Sequence, residues 1–130
     1  MCIFCKIIAK EIPSSIIYED EKVIAFLDIS QTTRGHTLVV PKEHFANIYS
    51  VDEETLSHLI KVVQKLSVKL KTKLDANGIN ILNNNELSAG QTIEHLHFHI
   101  IPRYDDHDGF SCHFTSNEVD LKKLANIINQ

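Results

Sequence analysis

Residues 94–101 have the sequence EHLHFHII, in which histidine recurs at every second position. This alternation is typical of a half-buried strand, because successive side chains of a strand point to opposite faces. The apolar residues of the alternation are predicted to enter a core: Leu96, Phe98 and Ile100. The opposite face then carries three imidazoles whose Cβ atoms lie about 6.5–7 Å apart: those of His95, His97 and His99. The three histidines are therefore expected to share one surface.

Four other stretches are predicted to be strands. Three of them lie far before the histidines in the sequence: residues 15–20 (SIIYED), 22–29 (KVIAFLDI) and 36–44 (HTLVVPKEH). The fourth, residues 78–84 (GINILNN), comes shortly before the histidines. The histidine stretch itself is predicted to form a strand over residues 96–102. These patterns indicate an antiparallel sheet of five strands.

Three segments are predicted to be helical. Residues 3–8 form a short helix or turn, and a long helix starts near Ser50 and stops before Gly78. The apolar residues of the long helix follow a 3.6-residue period: Leu56, Leu59, Ile60, Val63, Leu66 and Leu70. Capping boxes are predicted for Ser50 with Glu53 and, in a C-terminal helix at about 116–129, for Thr115 with Glu118. The prediction is a single α+β domain over residues 1–130, with the helices on one side of the sheet.

The overall composition excludes some functions. A net charge of −4 argues against a large nucleic-acid or anionic-membrane partner, while 43% hydrophobic and 23% charged residues are ordinary for a globular protein. No apolar run approaches the roughly 20 residues of a membrane helix, and no signal peptide is recognised. Three cysteines are an odd number for a disulfide framework, so a reducing compartment, the cytoplasm, is expected.

The histidine row is compatible with two kinds of chemistry. Two imidazoles on one face can ligate a metal ion, and a neutral imidazole can act as a nucleophile near pH 7. The preceding loop, residues 83–92 (NNNELSAGQT), is polar and contains Gly90. Such a loop can offer backbone N–H groups to an anion. Together the two segments indicate a phosphate site that faces a nucleophile.

The chain resembles the histidine triad family. The resemblance is carried by residues 89–103 (AGQTIEHLHFHIIPR), 3–20 (IFCKIIAKEIPSSIIYED), 25–30 (AFLDIS) and 35–44 (GHTLVVPKEH), so it extends over residues 2–103. It implies an antiparallel sheet that continues across a homodimer. It also implies a hydrolase or transferase that acts on nucleoside monophosphate groups through a covalent nucleotidyl-histidine.

The resemblance assigns the site residue by residue. His97 corresponds to the nucleophile, His99 to a phosphate contact that assists the leaving group, and His36 to a supporting histidine. Asp28 corresponds to the carboxylate that binds the ribose hydroxyls, as a carboxylate can accept two hydrogen bonds from a diol. The remaining residues correspond to the wall of a purine pocket or to polar contacts: Phe4, Ile7, Phe26 and Ile29 in the first group, and Asn84, Gly90, Gln91 and Thr92 in the second. For the four apolar residues, core packing without contact to the base remains an open alternative. The bond cleaved is a phosphoanhydride, a phosphoramidate or a phosphoester.

Cys2 and Cys5 have C-x-x-C spacing, which alone fits a chance pair or a redox motif. Some triad proteins, and the related galactose-phosphate uridylyltransferases, combine such a pair with two histidines in a zinc site. By position these histidines are His44 and His95. Two thiolates and two imidazoles form a closed tetrahedral set, so the resemblance implies structural Zn²⁺ that takes no part in the chemistry.

Two other functions remain open. In one, all three triad histidines ligate a catalytic metal ion, and the activity disappears on chelation. In the other, the protein binds nucleotides without turning them over.

Overall fold

The structure is a computed structural model that describes residues 2–105 and 107–130, so Met1 and Asp106 of the predicted domain lie outside the described residues. Its helices are α1 (Ile3–Ile8), α2 (Glu53–Lys73) and α3 (Leu121–Ile128), with a 3-10 turn at Leu87–Ala89. Its strands are β1 (Ile16–Glu19), β2 (Val23–Leu27), β3 (Thr37–Pro41), β4 (Gly78–Leu82) and β5 (Phe98–Arg103). The strands form one sheet in the order β1-β2-β3-β5-β4, in which all neighbours are antiparallel. The predicted α+β class and five-stranded antiparallel sheet are confirmed.

Helix α2 covers one face of the sheet. Its buried stripe packs against alternate residues of the strands, and Leu96, Phe98 and Ile100 belong to the same cluster. The members of the stripe are Leu59, Val62, Val63, Leu66 and Leu70. The predicted direction of the apolar residues between the histidines is therefore confirmed.

Helix α1 covers the opposite face, which corrects the prediction that the helices lie on one side. Phe4 and Ile7 pack there against Ile24, Phe26 and Leu38. The reason is that β2 (VIAFL) and β3 (TLVVP) are apolar at both odd and even positions. Strands of that kind need cover on both faces. The histidine row therefore faces the layer that contains α1.

Both boundaries of α2 differ from the prediction. The side chain of Asp52, not of Ser50, caps the N-terminus by accepting the Thr55 N–H. The helix ends at Lys73, and Asp75, with φ at +54°, makes the left-handed turn that glycine often makes. Gly78 is the first residue of β4 and does not stop the helix.

The C-terminal helix is shorter than predicted. It begins after Asp120, whose carboxylate accepts the Lys123 N–H, so the predicted capping box of Thr115 and Glu118 is wrong. Residues 111–130 are exposed, including every residue of α3. Within the described ranges, no helix combines the length and the apolar character that crossing a membrane requires.

Candidate functional site

The strand that carries the histidines starts later than predicted. Only His99 lies in β5, while His95 and His97 lie in the segment before it. Pairing with β4 ends at Leu82–His99 and pairing with β3 ends at Val39–Phe98, so the residues before Phe98 have no ladder partner although β3 itself continues to Pro41. The three histidines are also less exposed than a free sheet face would leave them, because His95 and His97 are buried and His99 is partly buried.

His97 is held in one tautomer. Its Nδ1 lies 2.7 Å from the backbone oxygen of His95, and a carbonyl oxygen only accepts hydrogen bonds, so Nδ1 carries the proton. Nε2 therefore holds a lone pair. Burial lowers the pKa of His97, which favours the neutral ring. The ring packs edge-on against Phe4, with 5.1 Å between ring centroids. A neutral imidazole with a lone pair on Nε2 is equipped for nucleophilic attack.

His99, His36 and Asp28 lie in a row. Nδ1 of His99 lies 2.9 Å from Nε2 of His36, and Nδ1 of His36 lies 3.9 Å from the Asp28 carboxylate. Burial is the main reason that the pKa of His99 falls to about 4 and that the pKa of His36 is also lowered. The three side chains are close enough to surround an ion. However, His99 and Asp28 lie beside different nitrogens of the His36 ring, and one ion cannot bind both of these nitrogens. Only the His99–His36 contact is a hydrogen bond, because Nδ1 of His36 is too far from Asp28 to donate to it.

His95 faces a different group, made by Cys2, Cys5 and His44. The sulfur-to-Nδ1 distances in this cluster are 3.4–3.7 Å, and the two Nδ1 atoms are 3.1 Å apart. With Zn–S at about 2.3 Å and Zn–N at about 2.0–2.1 Å, a tetrahedral ion separates sulfur from nitrogen by about 3.5 Å and nitrogen from nitrogen by about 3.3 Å. The four side chains thus have the spacing of a tetrahedral metal site.

The tautomer of His95 agrees with metal binding. Its Nε2 donates to the carbonyl oxygen of Pro41 at 2.8 Å, so its Nδ1 lone pair faces Cys2, Cys5 and His44. Metal-ligating histidines usually donate their other ring N–H in this way. In the described part of the chain, no group of potential metal ligands contains more than one triad histidine. The geometry gives no support to a catalytic ion held by all three.

The loop before the histidines contains the predicted polar residues. Gly90 has φ at +95°, which favours glycine, and its Cα lies against the amide of Asn84, because an added Cβ would meet Nδ2 at 3.4 Å. Thr92 and Gly90 are exposed. Gln91 differs from the other predicted contacts: it is buried, its Oε1 accepts the Glu86 N–H, and its Nε2 donates to the carbonyl oxygens of Ala46 and Ile93. Its amide therefore holds the loop in place.

The predicted base-pocket residues divide into two groups. Phe4, Ile7 and Phe26 are buried in the core under α1, whereas the side chain of Ile29 is fully exposed. Ile29 and Asp28 line an open cleft, and the Asp28 carboxylate lies 3.9 Å from Nδ1 of His36. A larger surface cleft, beside Asp20, Glu54 and His58, contains none of the predicted site residues.

Sequence reasoning missed two residues that contact the site through hydrogen bonds. The amide of Asn83 donates to the carbonyl oxygen of His97, and the amide of Asn85 donates to Asn83. Both belong to the polar run NNNE, whose composition indicated a loop. Composition gave no sign of which way the individual amides point.

Comparison with known proteins matches one protein family by sequence and by structure. The family model described as "HIT domain" matches residues 9–106. An adenosine 5'-monophosphoramidase of Candida albicans is 39% identical over 132 residues, covering 97% of this chain and 86% of that protein. The crystal structure of a HIT family protein from Bacillus subtilis superimposes with a TM-score of 0.93 at 45% identity, covering 98% of this chain and 94% of that chain. A zinc-bound histidine triad family protein from Mycobacterium smegmatis gives a TM-score of 0.79 at 37% identity, covering 84% of this chain and 79% of that chain.

Proposed function

The chain belongs to the HIT domain family, and from this premise we propose that it is a nucleotide hydrolase or transferase in which His97 forms a covalent nucleotidyl-histidine. The reaction takes place at the α-phosphate of a nucleoside monophosphate group. The relatives named adenosine 5'-monophosphoramidase support a phosphoramidate as one substrate, with an amine as the leaving group.

One observation carries the proposal: Nδ1 of His97 donates to the carbonyl oxygen of His95. This bond leaves the lone pair of Nε2 available. It also stabilises the ring after attack, because the imidazolium that forms keeps its Nδ1–H directed at a carbonyl oxygen. The same hydrogen bond thus favours the tautomer that attacks and stabilises the charged ring of the covalent intermediate.

The reaction proceeds in two displacements. In the first, Nε2 of His97 forms a bond to phosphorus, and the bond to the leaving group breaks with its electron pair. The negative charge of the bound phosphate favours protonation of the His99–His36 pair, and His99 transfers that proton to the departing atom. In the second, water attacks phosphorus, its proton returns to the His99–His36 pair, and the bond to His97 breaks. A nucleoside monophosphate is released and the enzyme is restored.

Substrate binding uses the cleft lined by Asp28 and Ile29, and Asp28 connects that cleft to His36. Asp28 accepts hydrogen bonds from the two ribose hydroxyls, and Ile29 covers one side of a purine, with Phe4, Ile7 and Phe26 supporting the pocket from the core. Asn84, Gly90 and Thr92 contact the phosphate, while Gln91 keeps the loop in place. These partners are small molecules, and we expect no nucleic-acid polymer.

We further propose that Cys2, Cys5, His44 and His95 bind one structural zinc ion. The distances within the cluster and the tautomer of His95 support this assignment, as does the zinc-bound relative. When bound, the ion supplies cross-linking between α1 and the segments that follow β3 and precede β5. Thiolate ligands remain reduced in the cytoplasm, where we place the protein.

We also propose that the protein is a homodimer in which β4 of one copy continues the sheet of the other. Strand β4 is at an edge of the sheet, and Ile81 on it is 52% exposed. An unprotected apolar edge strand exposes unpaired backbone N–H and C=O groups, and pairing with a strand of a second copy satisfies them.

The activity can be tested with adenosine 5'-phosphoramidate. We expect wild-type protein to release AMP and ammonia, and His97→Ala to lose at least about 1,000-fold in kcat while it still binds AMP, because the ribose and base contacts remain. AMP binding without turnover in the wild type would show a nucleotide-binding protein instead. Activity that disappears on chelation and returns with metal would show a metal-dependent enzyme.

A further inference from the structure

Two asparagine side chains join the backbone of Ile48 to the backbone of His97. The Ile48 N–H donates to Oδ1 of Asn85 at 2.8 Å, Nδ2 of Asn85 donates to Oδ1 of Asn83 at 2.6 Å, and Nδ2 of Asn83 donates to the carbonyl oxygen of His97 at 3.0 Å. Each amide accepts on its oxygen and donates from its nitrogen. All the dipoles therefore point toward His97, an arrangement in which hydrogen bonds strengthen one another.

This relay acts where the sheet no longer holds the chain. The ladder between β4 and β5 ends with the pair Leu82–His99, so the backbone of His97 lies beyond the last paired residue. Asn83 is the next residue after β4. Its side-chain amide donates a hydrogen bond to the carbonyl oxygen of His97, which has no partner in the ladder. Both asparagines are half-buried, so water competes only partly for these bonds.

The orientation of the His97 ring depends on this backbone segment. The ring's Nδ1 is fixed by the carbonyl oxygen of His95, two residues earlier, so any rotation of the peptide groups between them moves Nε2. The other end of the relay, Ile48, belongs to the segment that follows His44, and Gln91 binds the same segment at Ala46. The relay thus attaches the reacting residue to a segment that is itself anchored.

We propose that Asn83 is a positioning residue for His97, and that Asn85 acts through Asn83 by orienting its amide. The proposal rests on the proposed function, since it assigns the relay to the nucleophile of that reaction. It adds two residues that contact neither the substrate nor the reacting atoms. A displacement of a nucleophile by about 1 Å costs on the order of 100-fold in rate, so such residues have measurable effects.

The test uses Asn83→Asp, which keeps the shape of the side chain but replaces the donor with an oxygen. Asn77→Asp is the matched control, because Asn77 precedes β4 and its amide also donates to a backbone carbonyl oxygen, that of Tyr104. We expect Asn83→Asp to slow single-turnover transfer of the nucleotidyl group to His97 by about 10- to 100-fold. The Kd for AMP should stay within about threefold, and Asn77→Asp should match the wild type in both.

A second readout does not require turnover. In ¹⁵N NMR spectra at neutral pH, we expect wild-type His97 to show one Nδ1–H tautomer and Asn83→Asp to show a mixture of tautomers. If the wild type forms no adduct, the proposed function fails while these spectra still decide whether the relay positions the ring. A His97 signal unchanged in Asn83→Asp, or an equal loss of rate in Asn77→Asp, would overturn the proposal.

Asn85→Asp provides an independent variant in case Asn83→Asp does not fold. It interrupts the relay one bond earlier, so we expect a rate reduction of about 3- to 10-fold, with AMP binding retained. The double variant should be no slower than Asn83→Asp alone, because the relay is already broken there. Independent, multiplicative effects of the two substitutions would contradict the relay.

Discussion

At the residue scale, the ionisation of His99 is linked to folding. Its pKa is about 4 in the folded protein, chiefly because the ring is buried, and an unfolded histidine has a pKa near 6.5. Above pH 6.5 both states are neutral. As the pH falls toward 4, the unfolded state takes up a proton that the folded state resists, so the contribution of His99 to stability is progressively lost.

The variant His99→Gln should weaken this dependence. Urea unfolding at pH 7.5 and at pH 5 gives the change in the free energy of unfolding for each protein. We expect a larger decrease in the wild type than in His99→Gln, which keeps an amide beside His36 but has no group to titrate. Equal decreases in the two proteins would show that His99 does not have the depressed pKa.

The triad residues show which features of the site could be predicted from the sequence alone. The alternation placed His95, His97 and His99 on one side of the chain, and the resemblance assigned them separate parts. What the pattern could not supply is the partner of each ring: Pro41 for His95, the carbonyl oxygen of His95 for His97, and His36 for His99. These partners come from distant segments whose approach depends on the whole fold. The same limit applies to Gln91, whose amide binds the backbone of its own loop and of Ala46.

At the element scale, the start of α2 depends on Asp52. Its carboxylate accepts the Thr55 N–H at 3.0 Å, which satisfies one of the unpaired N–H groups of the first turn. We expect Asp52→Ala to reduce the free energy of unfolding by about 1 kcal/mol. Ser50→Ala is the control, and it should change the same quantity by less than about 0.5 kcal/mol because Ser50 lies outside the helix. A larger loss in Ser50→Ala would mean that the helix starts earlier.

The existence of each helix and strand could be predicted from periodicity, but several boundaries could not. Ser50 and Glu53 have the spacing of a capping box, and so do Thr115 and Glu118, yet an aspartate closer to each helix caps it instead. Spacing alone could not decide between such nearby capping residues, because the choice depends on where the chain leaves the neighbouring segment. The late start of β5 follows from where its pairing with β3 and β4 ends, at Phe98 and His99, which the alternation of side chains does not reveal.

Helix α1 offers a test of the zinc site. Cys5 lies on this helix, and Cys2 caps its N-terminus by accepting the Cys5 N–H. Purified wild-type protein should contain about one zinc ion per chain, and Cys5→Ser should lose the ion and lower the Tm by more than about 5 °C, because the bound metal stabilises the fold. Cys112→Ser is the control, since Cys112 is exposed and distant in sequence from the cluster. Zinc retained at full stoichiometry by a variant that lacks both Cys2 and Cys5 would refute the site.

At the scale of the whole molecule, the two edges of the sheet differ. Strand β1 has a register irregularity between Ile16 and Tyr18, and Glu19 on it pairs with Lys10 and Lys42, which are features that discourage strand pairing. Strand β4 is regular, and Ile81 is half exposed on it. We therefore expect the second copy of the chain to bind at β4.

Light scattering can distinguish the two edges. Wild-type protein at micromolar concentration should have twice the mass of a 14.8 kDa chain, and Ile81→Lys should shift it toward the monomer, because a charge in an apolar interface is costly. Ile16→Lys places the same charge on the β1 edge and should leave the dimer intact. A monomeric wild type, or a dimer lost only in Ile16→Lys, would contradict pairing at β4.

The covalent bond to His97 is the central step of the proposed reaction, and rapid-quench mass spectrometry measures it most directly. Wild-type protein mixed with an activated ester of AMP and quenched within milliseconds should carry one adenylyl group per active chain. Peptide mapping should locate that group on His97, and His97→Ala should carry none, whereas His99→Gln should accumulate the adduct more slowly. An adduct on any other residue, or steady turnover in the wild type with no adduct at any quench time, would contradict the mechanism.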